Sequence, residues 1–368
     1  MNRKTGILLF LYVAALFAAR AAFGDVERTL RAEVPDPLRT GFAVENLVGR
    51  MRVVPGSGDT ATIIATVHAA DDALAGSVRL EKTAGEGGTT TFHVQYPDSE
   101  RTLRYPRHGG RGDGDGDGDG DWTIELFSWG SGTRYQGHNY RIARNRGRLL
   151  YVDVEVRVPA RIASGRFRNL VGRIEASGLE GKLAFDVESA DLKLERLRGA
   201  LTLRGTSGDV EASDIGGSWD SEFTSGDLKV RGFRGERLSF RATSGDLDAS
   251  GIEASRVRIQ ATSGDVLLRD ADIQELESHS TSGNVEVDQK STRLANVRIE
   301  ATSGDVMLRL PREASFHADT SHGSGDVQVD FHDAVSQPRE EPSSFRRGTG
   351  GAEIRVRTTS GNLTIAPR

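Results

Sequence analysis

Apolar residues recur along most of this chain with a period of two, nested inside a longer period of 18–21 residues. Let the glycine of each Thr-Ser-Gly-Asp turn, or the residue in its place, be the origin. Two positions on stand Ile174, Leu192, Val210, Leu228, Leu247, Val266, Val285, Val306, Val327 and Leu363. Four positions on stand Ala176, Leu194, Ala212, Val230, Ala249, Leu268, Val287, Leu308, Val329 and Ile365. The position between is mostly polar, as in Glu175, Lys193, Glu211, Lys229, Asp248, Glu286 and Gln328. This alternation predicts a β-strand with one face inward. A second alternating strand precedes each turn, with apolar residues seven positions back (Leu183, Leu201, Trp219, Leu238, Val257, Leu276, Val297, Ile354) and five back (Phe185, Leu203, Phe240, Ile259, Ile299, Val356). A third apolar site falls seven positions after the glycine at Leu179, Leu197, Ile215, Phe233 and Ile252, with Ile273 and Leu294 the expected equivalents in the longer units.

The full turn motif stands at 206–209, 224–227, 243–246, 262–265 and 302–305, with Asn in the last place at 281–284 and 359–362. Partial copies are Ser324-Gly325-Asp326 and Ser189-Ala190-Asp191. The turn glycines Gly208, Gly226, Gly245, Gly264, Gly283, Gly304 and Gly325 are 18 to 21 apart, and Gly361 follows after 36. A fixed period near 20 marks a repeat architecture. The expected fold is all-β: a single-stranded parallel β-helix of about 18–21 residues per coil, each coil stacked on the next at about 4.8 Å, forming a rod on the order of 50 Å long. Runs such as VRIQATSGDV are β-branched and cut by glycine every 19 residues, which rules out a helical reading. The turn glycines are expected at positive φ.

Three regions follow from the spacing. Residues 1–24 carry Arg3 and Lys4, an apolar run from Ile7 to Phe17 and then small residues, the pattern of a cleaved secretory signal. Residues 25–160 show strand signals with looser spacing, such as TATIIATV at 60–67 and LLYVDVEVRV at 149–158. Asn46-Leu47-Val48-Gly49-Arg50 recurs identically at 169–173, which makes the first region an irregular early section of the same architecture with long insertions. The Gly-Asp alternation at 107–121 is low complexity and is expected to be a loop, after which Trp122 to Phe127 resumes as a strand. Regular coils occupy 161–368, with 332–350 an inserted loop beside one normal coil.

Composition narrows the function classes. The chain has 368 residues, 44 glycines and no cysteine, which excludes a disulfide framework and thiol chemistry. Loss of the leader, with its three cations, takes the net charge from −5 to −8, so there is no electrostatic case for nucleic acid. No second hydrophobic run follows the leader, so no transmembrane segment is expected after cleavage, and the address is the periplasm, the cell surface or the medium.

The strand DVEVRVP at 153–159, followed by repeated Ser-Gly-Asp/Asn-Val/Leu-x-Val/Leu turns behind a leader, resembles the bacterial putative-adhesin family, an exported domain of unknown function related to auto-transporter adhesin heads with a Gly-Ile-Asn signature. The resemblance spans about residues 40–366. It implies a β-helix, usually right-handed, with no established catalytic residues or cofactor. The chain departs from the family in its Gly-Asp loop and in Asn46 and Asn169, which stand where a glycine-rich signature would be.

The turn acids form a column that includes Asp209, Asp227, Asp246, Asp265 and Asp305, with Asn284 and Asn362 in the same place. The first reading is structural: each carboxylate accepts amide N–H groups of its turn, as in an Asx-turn, and Asn serves equally. The alternative is a line of Ca²⁺ sites or a carbohydrate-binding edge. The Thr and Ser before each glycine form a hydroxyl ladder. Asp113, Asp115, Asp117, Asp119 and Asp121 are loose Ca²⁺ candidates, and Arg111-Gly112-Asp113 matches an integrin tripeptide at close to chance level. None of the eight histidines has zinc spacing with a third ligand, although His317 and His322 lie five apart around a turn. No nucleophile elbow, phosphate loop or dinucleotide fingerprint is present. The expected protein is a non-enzymatic, adhesin-like surface or envelope module without a cofactor, whose ligand is a protein or a glycan. The alternatives are a carbohydrate-active β-helix enzyme and a structural or regulatory envelope protein.

Overall fold

The structure is a computed structural model that describes residues 25–34, 36–85, 89–106, 132–337 and 343–368. The expected leader, the Gly-Asp loop with its aspartates and Arg111-Gly112-Asp113, and the strand expected at 122–127 lie outside the described residues. Among those residues the chain is a β-solenoid, with a single short helix at Asp72–Ser77 capped by the Asp71 carboxylate on the Leu74 amide.

Coils stack in parallel and in register, residue on equivalent residue. Strand Leu228–Ser244 pairs with Leu247–Ser263, which pairs with Val266–Ser282, and Leu228, Leu247, Val266 and Val285 fall in one line. The four inward columns are buried along the stack, except at Val327 and Val329 in the last coil, which are half-buried. Each strand position therefore meets its own kind one coil away, and a single set of choices, repeated, builds a continuous apolar spine. Trp219 is the largest of these side chains and is 1% exposed. It takes a place that Leu201 and Leu238 hold in the neighbouring coils, and Ser221, two residues on, stands where they have Leu203 and Phe240. The small serine makes room for the indole, a local exchange of volume within a close-packed core.

The third apolar column changes in the longer units. Ala271, not Ile273, carries the register on from Ile252, and Ala271 pairs with Gln289. Ile273 and Leu294 are buried but lie off that line; Ile273 pairs instead with Ala254. The Gln289 side chain is fully buried and bonds both the N–H and the C=O of Ile273, at 3.2 and 3.1 Å, standing in for an absent strand partner.

Both ends depart from a plain stack. Strand Phe42–Pro55 is a true coil that pairs with Arg161–Ser177 so that Asn46 faces Asn169 and Gly49 faces Gly172. The residues between them leave the stack and return as a cap. Arg148–Val158 and Thr90–Gln95 each cover half of the Gly49 coil in parallel, and Val26–Val34, Ala61–Ala69 and Arg79–Ala84 extend this cap with antiparallel pairing.

At the other end the expected order of coils is overturned. Sequence spacing predicts 304, then 325, then 361. In the structure Ala352–Ser360 pairs with Asn296–Ser303 on one side and with Phe316–Ser324 on the other, and Leu363–Pro367 likewise lies between Val306–Leu310 and Val327–Val329. The Gly361 coil thus sits between the Gly304 and Gly325 coils. The repeats are equivalent enough that stacking position is not dictated by chain order. The inserted stretch 332–350 is not wholly loop either: Ser343–Arg347 pairs antiparallel with Phe316–Ser324 and with Val335–Gln337, covering one edge of the last coil.

Candidate functional site

The turns are the most uniform feature of the molecule. Gly245 has φ +122°, and a Cβ placed there would lie 2.1 Å from the Gly226 carbonyl oxygen. Gly208, Gly226, Gly264, Gly283, Gly304, Gly325 and Gly361 repeat both features with φ between +111° and +126°. Two constraints act together: L-residues disfavour this region, and the stacked backbones leave no space for a side chain.

The turn acids do not close on their own turns, as the Asx-turn reading has it. Each Oδ1 accepts the amide N–H of the equivalent residue in the next coil: Asp209 from Asp227 at 3.0 Å, Asp227 from Asp246 at 3.0 Å, Asp246 from Asp265 at 2.7 Å, Asp265 from Asn284 at 2.7 Å. The column starts at Asp191, which accepts from Asp209 at 3.3 Å, and continues through Asn284, Asp305, Asn362 and Asp326, following the inverted coil order. Asp153 makes the same kind of bond to the Arg50 amide at 2.8 Å, with Arg50 and Arg173 separating it from the run. Parallel stacking causes this. The carboxylate of one coil lies beside the N–H of the next, and the turn leaves that N–H without a strand partner. Burial, helped by neighbouring Asp227 and Asp191, pushes the Asp209 carboxyl above its ordinary range against the lowering effect of the Asp227 amide. Among the described residues no group of three or more His, Asp or Glu side chains is arranged to hold a metal ion. His317 bonds Ser344 at 3.0 Å and faces Glu353 and Asp319 at 3.3 and 3.5 Å.

The concave feature of the rod is a trough of about 1290 Å³ running along the face that leads into the turns. Residues four, three and two positions before the turn glycines from Gly208 to Gly304 line it, joined by Arg357 and Thr359 before Gly361. Its floor, three before the glycine, is mostly small: Gly205, Ala242, Ala261, Ser280 and Ala301. Val187 and Phe223 are larger, and the Phe223 ring packs where a Cβ on Gly205 would stand, 2.3 Å from Cε1.

One wall is a ladder of seven exposed threonines: Thr206, Thr224, Thr243, Thr262, Thr281, Thr302 and Thr359. The other wall is a column whose charge alternates coil by coil. Glu45 faces Arg168, Arg168 faces Asp186, then come Arg204, Glu222 and Arg241. Gln260 and His279 interrupt, and Glu300 and Arg357 resume it. In-register stacking favours this pattern where no amide N–H ties the carboxylates, since identical charges about 4.8 Å apart repel at each step. Arg241 donates to Gln260 at 2.9 Å and lies 3.8 Å from Glu222; His279 is 3.2 Å from Glu300. Arg204 has no hydrogen-bond or ion-pair partner among the described residues. The trough holds five arginines and five carboxylates, so its walls carry no net charge. Glu188 is the carboxyl in it whose pKa is raised, by burial, with Arg168 opposing.

A second alternating column runs along another face through Glu155, Arg52, Glu175, Lys193, Glu211, Lys229 and Asp248. Glycine alignment picks out these positions as polar. The alternation of sign becomes visible only when that aligned column is taken in stacking order.

The buried pair Asn46 and Asn169 forms a polar ladder inside the capped end. Asn46 Nδ2 donates to Asn169 Oδ1 at 3.0 Å and to the Val152 carbonyl at 2.8 Å; Asn169 Nδ2 donates to the Gly49 carbonyl at 2.8 Å. The Tyr96 hydroxyl lies 2.9 Å from Asn46 Oδ1 and 3.1 Å from the Val48 carbonyl. These residues hold the cap to the first coil and do not reach solvent.

Residues 219–366 match the model of the Toastrack DUF4097 family. No curated protein matches the chain. Among solved structures, the chain is similar to a putative adhesin from Parabacteroides distasonis, at 10% identity with 92% of this chain and 96% of that one covered and a TM-score of 0.38. It is also similar to a putative lipid binding protein from the same organism (14% identity, coverage 92% and 96%, TM-score 0.35). A putative cell adhesion protein from Clostridium sporogenes matches at 8% identity, with coverage 94% and 100% and a TM-score of 0.24.

Proposed function

We propose that this protein is a non-enzymatic, adhesin-like binding rod of the cell envelope that holds an extended, polar, uncharged or zwitterionic glycan along its trough. The observation that carries the reading is the trough itself. It repeats one threonine and one charged or polar group per coil over most of the rod, with its charges balanced. Such a surface offers a row of equal, shallow sites, and a ligand built of repeated units can occupy many of them at once. A chain of sugar rings, each about one coil long, stays in step with it. An extended peptide repeats its same-face side chains at about 6.6–6.8 Å and falls out of step with a coil spacing of about 4.8 Å. The leader pattern at 1–24 supports export. The acids of the charged wall are spread along the stack, mostly in alternate coils with an arginine between, and do not converge, which supports binding over turnover.

The test is calorimetric titration of the protein with neutral, anionic and zwitterionic polysaccharides and with extended peptides, alongside a reducing-sugar release assay. Thr262→Trp fills the middle of the trough from an exposed position. The expected result is glycan binding that varies little with salt, because the walls are balanced, and that weakens by roughly tenfold or more in the variant, about 1.4 kcal/mol, at an unchanged melting temperature. Binding of peptides alone, or turnover of any polysaccharide, overturns the reading.

A further inference from the structure

The inverted order of the last coils has a consequence independent of the trough. The Gly361 coil occupies a slot between two coils that precede it in the chain, and it matches both walls. Gly304 N–H donates to the Ser360 carbonyl, and Gly361 N–H donates to the Ser324 carbonyl. Val306 pairs with Leu363, and Leu363 with Val327. The turn column passes from Asp305 through Asn362 to Asp326. Only a segment with this repeat fills the slot, and every copy of the chain carries one.

The link into the slot is short and bent. Gly348, Gly350 and Gly351 all have positive φ, and the link wraps around Ser315, whose carbonyl lies 1.9 Å from where a Gly351 Cβ would stand. It carries the chain from Ser343–Arg347, on one side of Phe316–Ser324, to Ala352–Ser360 on the other. Opened out, the same link would send the last two strands away from their own rod. Exchange of an identical element through an opened hinge is a low-cost route to a dimer.

We propose that residues 352–367 are an exchangeable coil, and that the slot between the Gly304 and Gly325 coils accepts this segment from a second copy of the chain, giving a symmetric coil-swapped dimer. Inside one chain the short link gives the segment a high effective concentration, on the order of millimolar. The swap therefore forms when concentrated protein refolds.

The absence of cysteine makes the test direct. Ser303 and Ser360 are exposed register partners on adjacent strands, with Cα atoms about 4.8 Å apart, inside the range a disulfide spans. Full-length Ser303→Cys and Ser360→Cys proteins are mixed, unfolded, refolded over a range of concentrations and oxidised. In the swapped dimer the two introduced thiols meet across the copies. The expected result is a mixed disulfide dimer in excess of the two like-with-like dimers taken together, which is the level random pairing gives, and its share rises with refolding concentration. Gly350→Pro, which cannot adopt the +74° φ of the closed link, is expected to raise that share further. If the Gly350→Pro chain fails to fold, the two cysteine variants with the native link still decide. A mixed disulfide no more abundant than the two like-with-like products combined, at every concentration, overturns the proposal.

Discussion

Asp227 Oδ1 accepts the backbone N–H of Asp246, one coil along, at 3.0 Å. The bond needs an oxygen, not a charge. That is why Asn284 and Asn362 stand in the same column, accepting from Asp305 and Asp326 at 2.9 and 3.1 Å. The acids are thus inter-coil ties that carry a charge the tie does not require.

Asp209 gives the first prediction. Its carboxyl titrates above the ordinary aspartate value of 3.8, chiefly because it is buried. A carboxyl raised in the folded state binds more protons folded than unfolded, so stability falls as pH rises through that window and the penalty persists above it. Asp209→Asn keeps the acceptor for Asp227 and removes the penalty. The variant is expected to melt at the same or a higher temperature at pH 7, with the gain closing as pH falls below the unfolded value. Melting scans from pH 3 to 8 check it; a variant less stable at pH 7 contradicts the account.

Much of this molecule is legible in the sequence, because a stacked coil makes each structural rule appear many times. The inward columns, the positive-φ glycines and the pairing of Gly49 with Gly172 all follow from alignment on one residue. What alignment misses are relations between coils. The partner of each turn acid lies in the next coil, not in its own turn. The alternation at Glu45, Arg168, Asp186 and Arg204 requires the stacking order. The inversion at Gly361 leaves no trace in spacing, because the slot and both of its walls carry the same pattern. Ser221 and Gln289 break the apolar columns, and each is explained only by a neighbour, Trp219 or Ile273.

Gly245→Val tests the turn column. The substitution meets a backbone strain of about 1–3 kcal/mol and a carbonyl oxygen 2.1 Å from the new Cβ. The strand registers on both sides must shift to relieve it. A loss of at least about 3 kcal/mol is expected, seen as a lower urea midpoint, and hydrogen exchange should quicken first in the Gly226 and Gly264 coils. An unchanged midpoint would show that the turn tolerates a side chain.

Asn169→Leu tests the buried ladder. It is close to volume-matched, but it leaves the Gly49 carbonyl without its 2.8 Å donor and Asn46 Nδ2 without one acceptor. The expected cost is about 1–3 kcal/mol for each orphaned group. Adding Asn46→Leu removes part of that debt, so the double variant should be less destabilised than the sum of the singles, with a coupling of about 0.5–3 kcal/mol. Strict additivity in urea titrations would mean that the two amides act separately.

Arg204→Glu tests whether alternating charge holds the coils in order. Arg204 lies in register between Asp186 and Glu222, so the variant lines up three acids. Each new like-charge contact costs about 1 kcal/mol in a water-like medium, for a total of about 2 kcal/mol at low ionic strength. Raising the salt to about 1 M shortens the screening length to about 3 Å and should recover most of the loss. Arg204→Gln removes the attraction without adding repulsion and should lose less, with a weaker salt response. Urea midpoints of both variants at low and high salt make the comparison. Equal losses that salt leaves unchanged would show that the arginine acts through packing of its stem, and that the alternation does not order the coils.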